Sequence, residues 1–503
     1  MPHRTSSHKL RLRSLATSLL QKDKVVIYGI ILLAIFTRFW RLSELLHWTL
    51  DEEYWAYVVR NIATGYHLPL IGGPAAGTGL YLGPLYVWLV GLYGAIFGTH
   101  PVTLGIFAST LGVLTTVAIV KLFPKLLGRH GAYLTAFLYT FSVFAQLYDR
   151  KFWNATPLPL LSVLTLYLTH QVINQKQAKP WLLPALALVI SLAFHAHLSG
   201  AVLTLFVFTA FTIHHIPKKY FTQLAIFFAL LQTPLVIFDL RHNFTNLHAL
   251  GKFVTAQSSQ HINLISRGVE AVQITLTTYA RALYTPVTDI ARELTLCTDY
   301  ANSRVLPPII YTLVACLILL FALKQLRAKN LFSLLLLVNL VGFFLFRLLA
   351  ADSTLYPGQL SEYYLLSSLV PFFIFGAQLI IRLHKHAPLA SFSVLIFFAA
   401  INLNRTSELI HTHGFITKDQ TVTSAISKLD GHAFGLRVTG DPCQIYGYRY
   451  LFTVYGREPA SSYLDANFAW LYQTAPSPIP PQKSLVIDAD SATIELSDVS
   501  TSP

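Results

Sequence analysis

The sequence predicts an all-α polytopic membrane protein of about eleven transmembrane helices. Its N-terminus is expected inside and its C-terminus outside, with surface helices in the first outer loop and a small α/β or mixed extracytoplasmic domain at the end. Three observations predict this. Hydrophobic residues make up 54% of the 503, charged residues only 12%, and mean hydropathy is +0.52, well above a water-soluble domain. The apolar residues gather in runs near the length that crosses a bilayer. After Asn404 the chain turns polar, with short β-prone runs at Phe434–Val438 and Leu485–Ile487.

The formal charge of +14 could point to nucleic acid. The basic residues, however, form short clusters between apolar runs, as membrane orientation requires, and no nucleic-acid partner is expected. Residues 1–24 make a cytoplasmic basic N-terminus, with Arg4, Lys9, Arg11, Arg13, Lys22 and Lys24. No small-residue cleavage site follows, so the first run reads as an uncleaved anchor.

The expected spans are Val25–Trp40, Val102–Phe123, Ala132–Leu147, Ala155–Val172, Trp181–Phe194, Ala201–Ile213, Phe221–Phe238, Leu306–Leu323, Leu331–Leu349, Tyr363–Ile381 and Leu389–Leu403. The run Tyr81–Phe97 is apolar but broken by Pro84, Gly91 and Gly94. If it does not span, the basic loops around Lys121, Lys125 and Arg129, around Lys218 and Lys219, and around Arg327 and Lys329 share the N-terminal side, which satisfies the positive-inside rule. It is therefore placed as a juxtamembrane helix.

This choice divides the chain into a transmembrane domain, 25–404, and an extracytoplasmic C-terminal domain, 405–503. The outer side receives the first loop 41–100, the turn after Tyr148, the turn near His195, the long loop 239–304 and the stretch before Tyr363. Surface helices over the membrane ends are expected in 239–304. Cys297, Cys316 and Cys443 have no metal spacing, and pairing of Cys297 with Cys443 stays open.

The chemistry-bearing residues fall on that outer side. Asp51-Glu52-Glu53 follows the first span, and the expected spans hold no Asp or Glu. Ion-coupled transporters usually carry ionisable groups at mid-membrane depth, so this favours surface chemistry. On a helix Asp51 and Glu52 point about 100° apart and take separate roles. Arg38, Arg41, Arg150, Lys151, Arg241 and Arg347 lie at or near outer helix ends. Arg347, closest to the apolar region, needs an anionic partner, and a lipid phosphate matches the guanidinium fork. His195 and His197, two apart, make a weak metal pair. Tyr363 and Tyr364 could hydrogen-bond a headgroup. Simpler readings stand beside these: a helix N-terminal anion for Asp51-Glu52, snorkelling for Arg150 and Lys151, packing for the histidines, an aromatic belt for the tyrosines. Asn154-Ala155-Thr156 and Asn243-Phe244-Thr245 match glycosylation triplets.

In their order, these motifs resemble the GT-C integral membrane glycosyltransferases, in the branch of protein O-mannosyltransferases, lipid A aminoarabinose transferases and their bacterial relatives. The resemblance covers roughly Val25–Arg405. Its parts are Asp51-Glu52, Gly79-Leu80-Tyr81-Leu82-Gly83-Pro84, Arg150 with Trp153-Asn154, Phe194-His195-Ala196-His197, Phe238-Asp239-Leu240-Arg241-His242-Asn243, and Tyr363-Tyr364.

The resemblance implies a GT-C fold in the cell membrane. It also implies transfer of a sugar from a polyprenyl-phosphate-linked donor to a hydroxyl acceptor on a glycan, lipid or protein, with inversion, at the extracytoplasmic face. By it, Asp51 is the general base and Glu52 orients the loop or acceptor. Arg150, Arg241, Arg347, Tyr363, Tyr364, His195, His197, His242 and Asn154 hold the substrate or its lipid phosphate. No cofactor and no metal site are expected, with dependence on a divalent cation left open. The branch's acidic-Lys pair before the second surface helix is absent, and Asn154 stands where several relatives carry an acid. Two other classes remain beside the enzyme: a transporter or flippase of a lipid-linked saccharide, and a non-catalytic membrane scaffold presenting the C-terminal domain.

Overall fold

The computed structural model describes residues 23–75, 78–175, 179–255, 264–286, 289–290, 306–349, 362–474 and 481–499. The N-terminal residues through Lys22, Cys297 and residues 350–361 lie outside them.

Every apolar run expected to span coincides with helix. By length and apolarity alone, five described helices can cross a membrane: Pro101–Leu122, Ile309–Ala328, Leu331–Leu348, Glu362–His386 and Pro388–Glu408. Lys218–Leu231 and Thr233–Arg241, bent by 50°, make a sixth if they form one broken span. The bend falls at Gln232, where Pro234 begins the next helix and has no N–H to continue the ladder. Leu85–Phe97 is a helix of 13 residues.

Two further runs depart from a simple span. Ala132–Leu147 is divided at Ser142: the helix Pro124–Phe141 ends there, and the short helix Val143–Arg150 begins with the Ser142 hydroxyl accepting from Ala145 N–H. All eight residues of this second helix are buried. In the long loop, Thr245–Thr255 is mostly exposed. Leu264–Leu283, expected to lie over the surface, instead packs against Ile309–Lys324 and Leu331–Leu349 and buries Thr277 to Leu283.

The first loop folds into two helices, Leu50–Ala63 and Leu85–Phe97, packed on each other. Thr49 N–H donates to the Glu52 carboxylate (3.0 Å), tying Glu52 to the cap position as an N3 acid does in a capping box. Asp51, Glu52 and Glu53 fill the first turn and Arg60 the last, as the helix dipole favours.

Beyond the Pro388–Glu408 helix, the strands β1 Phe434–Thr439, β2 Ser461–Ser462, β3 Lys483–Asp488 and β4 Thr493–Asp498 form a four-stranded sheet in the order β2-β1-β3-β4. The strands β2, β1 and β3 run parallel and β4 is antiparallel to β3. Phe434, Leu436 and Val438 alternate inward with Leu485 and Ile487, the period of a half-buried strand. The helices Phe415–Leu429 and Tyr448–Val454 complete this part. Cys443 is disulfide-bonded and Cys316 carries a free thiol.

Candidate active site

Four connections meet at one end of the bundle: the Leu50–Ala63 helix, the turn 151–157, the turn at His195–Gly200, and the short helical turn Glu362–Leu365. The contacts below join them.

Three adjacent carboxylates differ in what holds them. Glu52 is fully buried; one oxygen takes the Thr49 N–H, and the other lies 3.6 Å from Lys151 Nζ. Glu53, also fully buried, accepts from Gly447 N–H (2.7 Å) and Tyr450 N–H (2.8 Å). Asp51 alone is partly open to solvent. Burial raises its pKa to about 6, the neighbouring charge of Glu52 adds to the rise, and Lys151 and a hydrogen bond from Trp153 oppose it. A carboxylate so placed is ionised at neutral pH and still basic enough to accept a proton.

Lys151 is buried rather than snorkelling. Its ammonium pairs with Glu52 and stands 4.4 Å from the centre of the Trp153 ring. Trp153 in turn meets Tyr363 edge-on at 4.5 Å and His197 at 6.0 Å. His197 packs on both Tyr363 (5.5 Å) and Tyr364 (5.0 Å). Its Nδ1 accepts from Ser199 N–H, and burial holds its pKa down at about 3, so it is a neutral ring. Asn154 is buried beside this cluster with its side-chain oxygen unpartnered among the described residues.

His195 has a different task. Leu85 N–H donates to its Nδ1 (3.3 Å), and Nε2, then the protonated nitrogen, donates to Gln232 Oε1 (2.6 Å). It pins the start of the second loop helix to the bend at Gln232. A Cβ on Gly83 would lie 2.3 Å from this ring, which explains a glycine in the Gly83-Pro84 step.

The arginines sort into three kinds. Arg150 is buried and donates to the carbonyls of Thr37 and Trp40; its Nε and Nη1 have no partner among the described residues. It lines a small crevice with Leu45, His47, Leu147, Lys151 and Ile290. Arg347 is paired with Glu270 on the Leu264–Leu283 helix, at 3.1 Å from Nε. Arg38 is likewise paired with Asp149 (2.9 Å), which also accepts from Tyr139 (2.7 Å). Arg241 and His242 are exposed at the end of Thr233–Arg241, and His242 bonds the carbonyl of Phe238. Among the described residues, no hydrogen bond, ion pair or ring contact joins either to Asp51, Lys151 or Trp153.

Sequence reasoning missed His47, His411 and Lys418. His47 and His411 stack with their ring nitrogens 3.0 Å apart. Lys418, fully buried, donates to the carbonyls of Trp48 (2.8 Å) and Tyr446 (2.6 Å). Nothing in a polar helix such as Phe415–Leu429 marks one lysine for burial. Among the described residues, no three of His, Cys, Asp or Glu come together to hold a metal ion.

In this helical bundle two loop helices bring a partly open carboxylate, Asp51, beside the buried Lys151. Residues 82–238 match the family described as dolichyl-phosphate-mannose-protein mannosyltransferase. Two solved structures share the fold across nearly the whole chain. One is ArnT from Cupriavidus metallidurans bound to undecaprenyl phosphate: TM-score 0.55, 11% identity, 92% of this chain and 92% of that one. The other is the Archaeoglobus fulgidus oligosaccharyltransferase in complex with Zn and sulfate: TM-score 0.52, 12% identity, 92% of this chain and 68% of that one. No curated protein matches the sequence.

Proposed function

We propose that this protein transfers a sugar from a polyprenyl-phosphate-linked donor to a hydroxyl acceptor at the extracytoplasmic membrane surface, with inversion. The observation that carries the reading is the division of labour among three neighbouring carboxylates. Glu52 and Glu53 are fixed by hydrogen bonds, and Asp51, pushed up to about 6, is left open beside buried cations. The family match over 82–238 and a fold shared with an undecaprenyl-phosphate-bound ArnT support a lipid-linked donor.

In the reaction the acceptor oxygen attacks the anomeric carbon while the bond from that carbon to the phosphate oxygen breaks. The electron pair leaves with the polyprenyl phosphate, and the hydroxyl proton goes to the Asp51 carboxylate. Charge grows on the leaving phosphate, so preorganised donors there lower the barrier. Arg150, with two unpartnered guanidinium nitrogens, and the adjacent Lys151 are suited to it. The roles first given to Arg241, His242 and Arg347 pass to these two. Trp153, His197, Tyr363 and Tyr364 wall the site and keep water from the glycosyl centre. The acceptor approaches over Tyr54, one turn from Asp51, whose ring joins Phe468 (6.0 Å) and the exposed Trp470 (6.3 Å).

The test is reconstitution in liposomes with a panel of labelled polyprenyl-phosphate sugars. The reading expects release of polyprenyl phosphate from one donor. Movement of labelled lipid between leaflets with no release would replace it with the flippase.

A further inference from the structure

We propose that the turn Tyr446–Tyr450 and Lys418 form a bracket that sets the position of Asp51, with Glu53 as its positioning residue. The inference rests on the transferase reading for the role of Asp51 and assigns a function to residues 405–503.

The geometry is a clamp from two sides. N-terminal to Asp51, the Trp48 indole donates to Gly447 O (3.0 Å), and Lys418 Nζ takes the Trp48 carbonyl while also holding Tyr446 O. C-terminal to it, the two oxygens of Glu53 divide the N–H groups of Gly447 and Tyr450 between them. The same short turn therefore grips residues three before and two after Asp51. One turn further along the loop helix, Arg449 donates to the Tyr57 hydroxyl (2.8 Å) and to Glu458 (2.9 Å), and Asn61 donates to Leu471 O (2.8 Å).

The clamp is specific in shape. Gly447 has φ +96°, and a Cβ there would lie 2.7 Å from the Trp48 ring and 2.9 Å from its carbonyl oxygen. Only glycine lets the turn close so tightly. Each partner is buried: Trp48, Glu53 and Lys418 show no exposed surface. A buried carboxylate and a buried ammonium placed this way cost desolvation free energy that an apolar contact would not. What they supply is direction: each bond fixes the helix rotation on which Asp51 faces Lys151 and Trp153. The charged and titratable groups facing Asp51 are Lys151, Glu52 and Tyr54; those facing Glu53 are Lys418, Arg449, Tyr57, Tyr463 and Tyr472.

The experiment uses the full chain in lipid nanodiscs as wild type, Glu53→Gln, Glu53→Ala and Lys418→Met. Two readouts are taken on the folded fraction. The first is donor turnover, and the second is carbodiimide labelling of Asp51 against pH, followed by mass spectrometry. Glutamine keeps one acceptor oxygen and alanine none, so the bracket predicts kcat in the order wild type, Glu53→Gln, Glu53→Ala. A displacement of about 1 Å costs on the order of 100-fold, with KM for the donor unchanged. Lys418→Met, on the other side of the interface, matches the loss, and in every variant the labelling midpoint of Asp51 moves from its wild-type value. A purely structural role lowers the folded fraction but leaves kcat per folded molecule and the labelling midpoint where they were; that result overturns the proposal. If wild type consumes no donor, the transferase reading fails, and the labelling midpoint still decides the bracket.

Discussion

Lys151 Nζ stands 3.6 Å from Glu52 Oε1, with both side chains sealed from solvent. The pair lies directly beside Asp51, where Lys151 restrains the rise in that residue's pKa and Glu52 adds to it. Removing one partner of a buried pair leaves an uncompensated charge, at a cost of about 3–5 kcal/mol. Lys151→Met is therefore expected to lower thermal stability sharply and to abolish donor turnover. Denaturation in nanodiscs and an activity assay on the surviving fraction check the two effects separately.

The base sets the pH dependence. Asp51 is held at about 6 against 3.8 in an unstructured chain, chiefly by burial. Its ionised form is the active one, so kcat/KM is expected to rise with pH up to about 6 and then level off. Stability runs the other way. The fold favours the protonated carboxyl, so this residue's contribution is full below about pH 4 and is lost as pH climbs through 6. A pH-rate profile and melts across the same range test both signs.

The arginines separate by their partners. Arg150→Gln is expected to raise the donor KM, because two of its guanidinium nitrogens have no partner among the described residues and the residue lines the crevice beside Lys151. Arg347→Gln breaks a pair with Glu270 and should lower stability with the donor KM unchanged. Equal effects of the two on KM would return Arg347 to the phosphate.

Gly83 carries a steric prediction. An alanine there meets the His195 ring, which is held by Leu85 N–H and Gln232 and cannot turn aside. Gly83→Ala should destabilise by about 1–3 kcal/mol, the usual range for overpacking. His195→Ala in the same chain should relieve part of that loss, which a double-mutant cycle measures.

How much of this the sequence makes legible depends on the kind of signal. Apolar runs mark the helices because burial in lipid is a matter of composition, and Asp51-Glu52-Glu53 stands out in the sequence because three acids beside a span are unusual. The break at Ser142 and the burial of Thr277–Leu283 are not legible: each is decided by neighbours distant in sequence. The same holds for charge pairing. Arg347 reads as a cation in need of an anion, and the residue that meets the need, Glu270, lies 77 positions away. Lys418 is an ordinary surface residue by pattern, and only the packing of the helix Phe415–Leu429 and the turn Tyr446–Tyr450 against the first loop buries it beside Trp48. His195, a substrate-holding residue by the resemblance, bonds Leu85 N–H and Gln232 Oε1, contacts with residues 110 positions before it and 37 after it that the sequence does not mark.

The most direct measurement compares wild type with Asp51→Asn in liposomes supplied with labelled polyprenyl-phosphate sugars, scoring both donor binding and polyprenyl phosphate release. The substitution keeps the size of the side chain and removes the base. The account predicts that wild type consumes one donor and that the variant binds that donor equally well but loses most of the release. Equal release by the two proteins would contradict it.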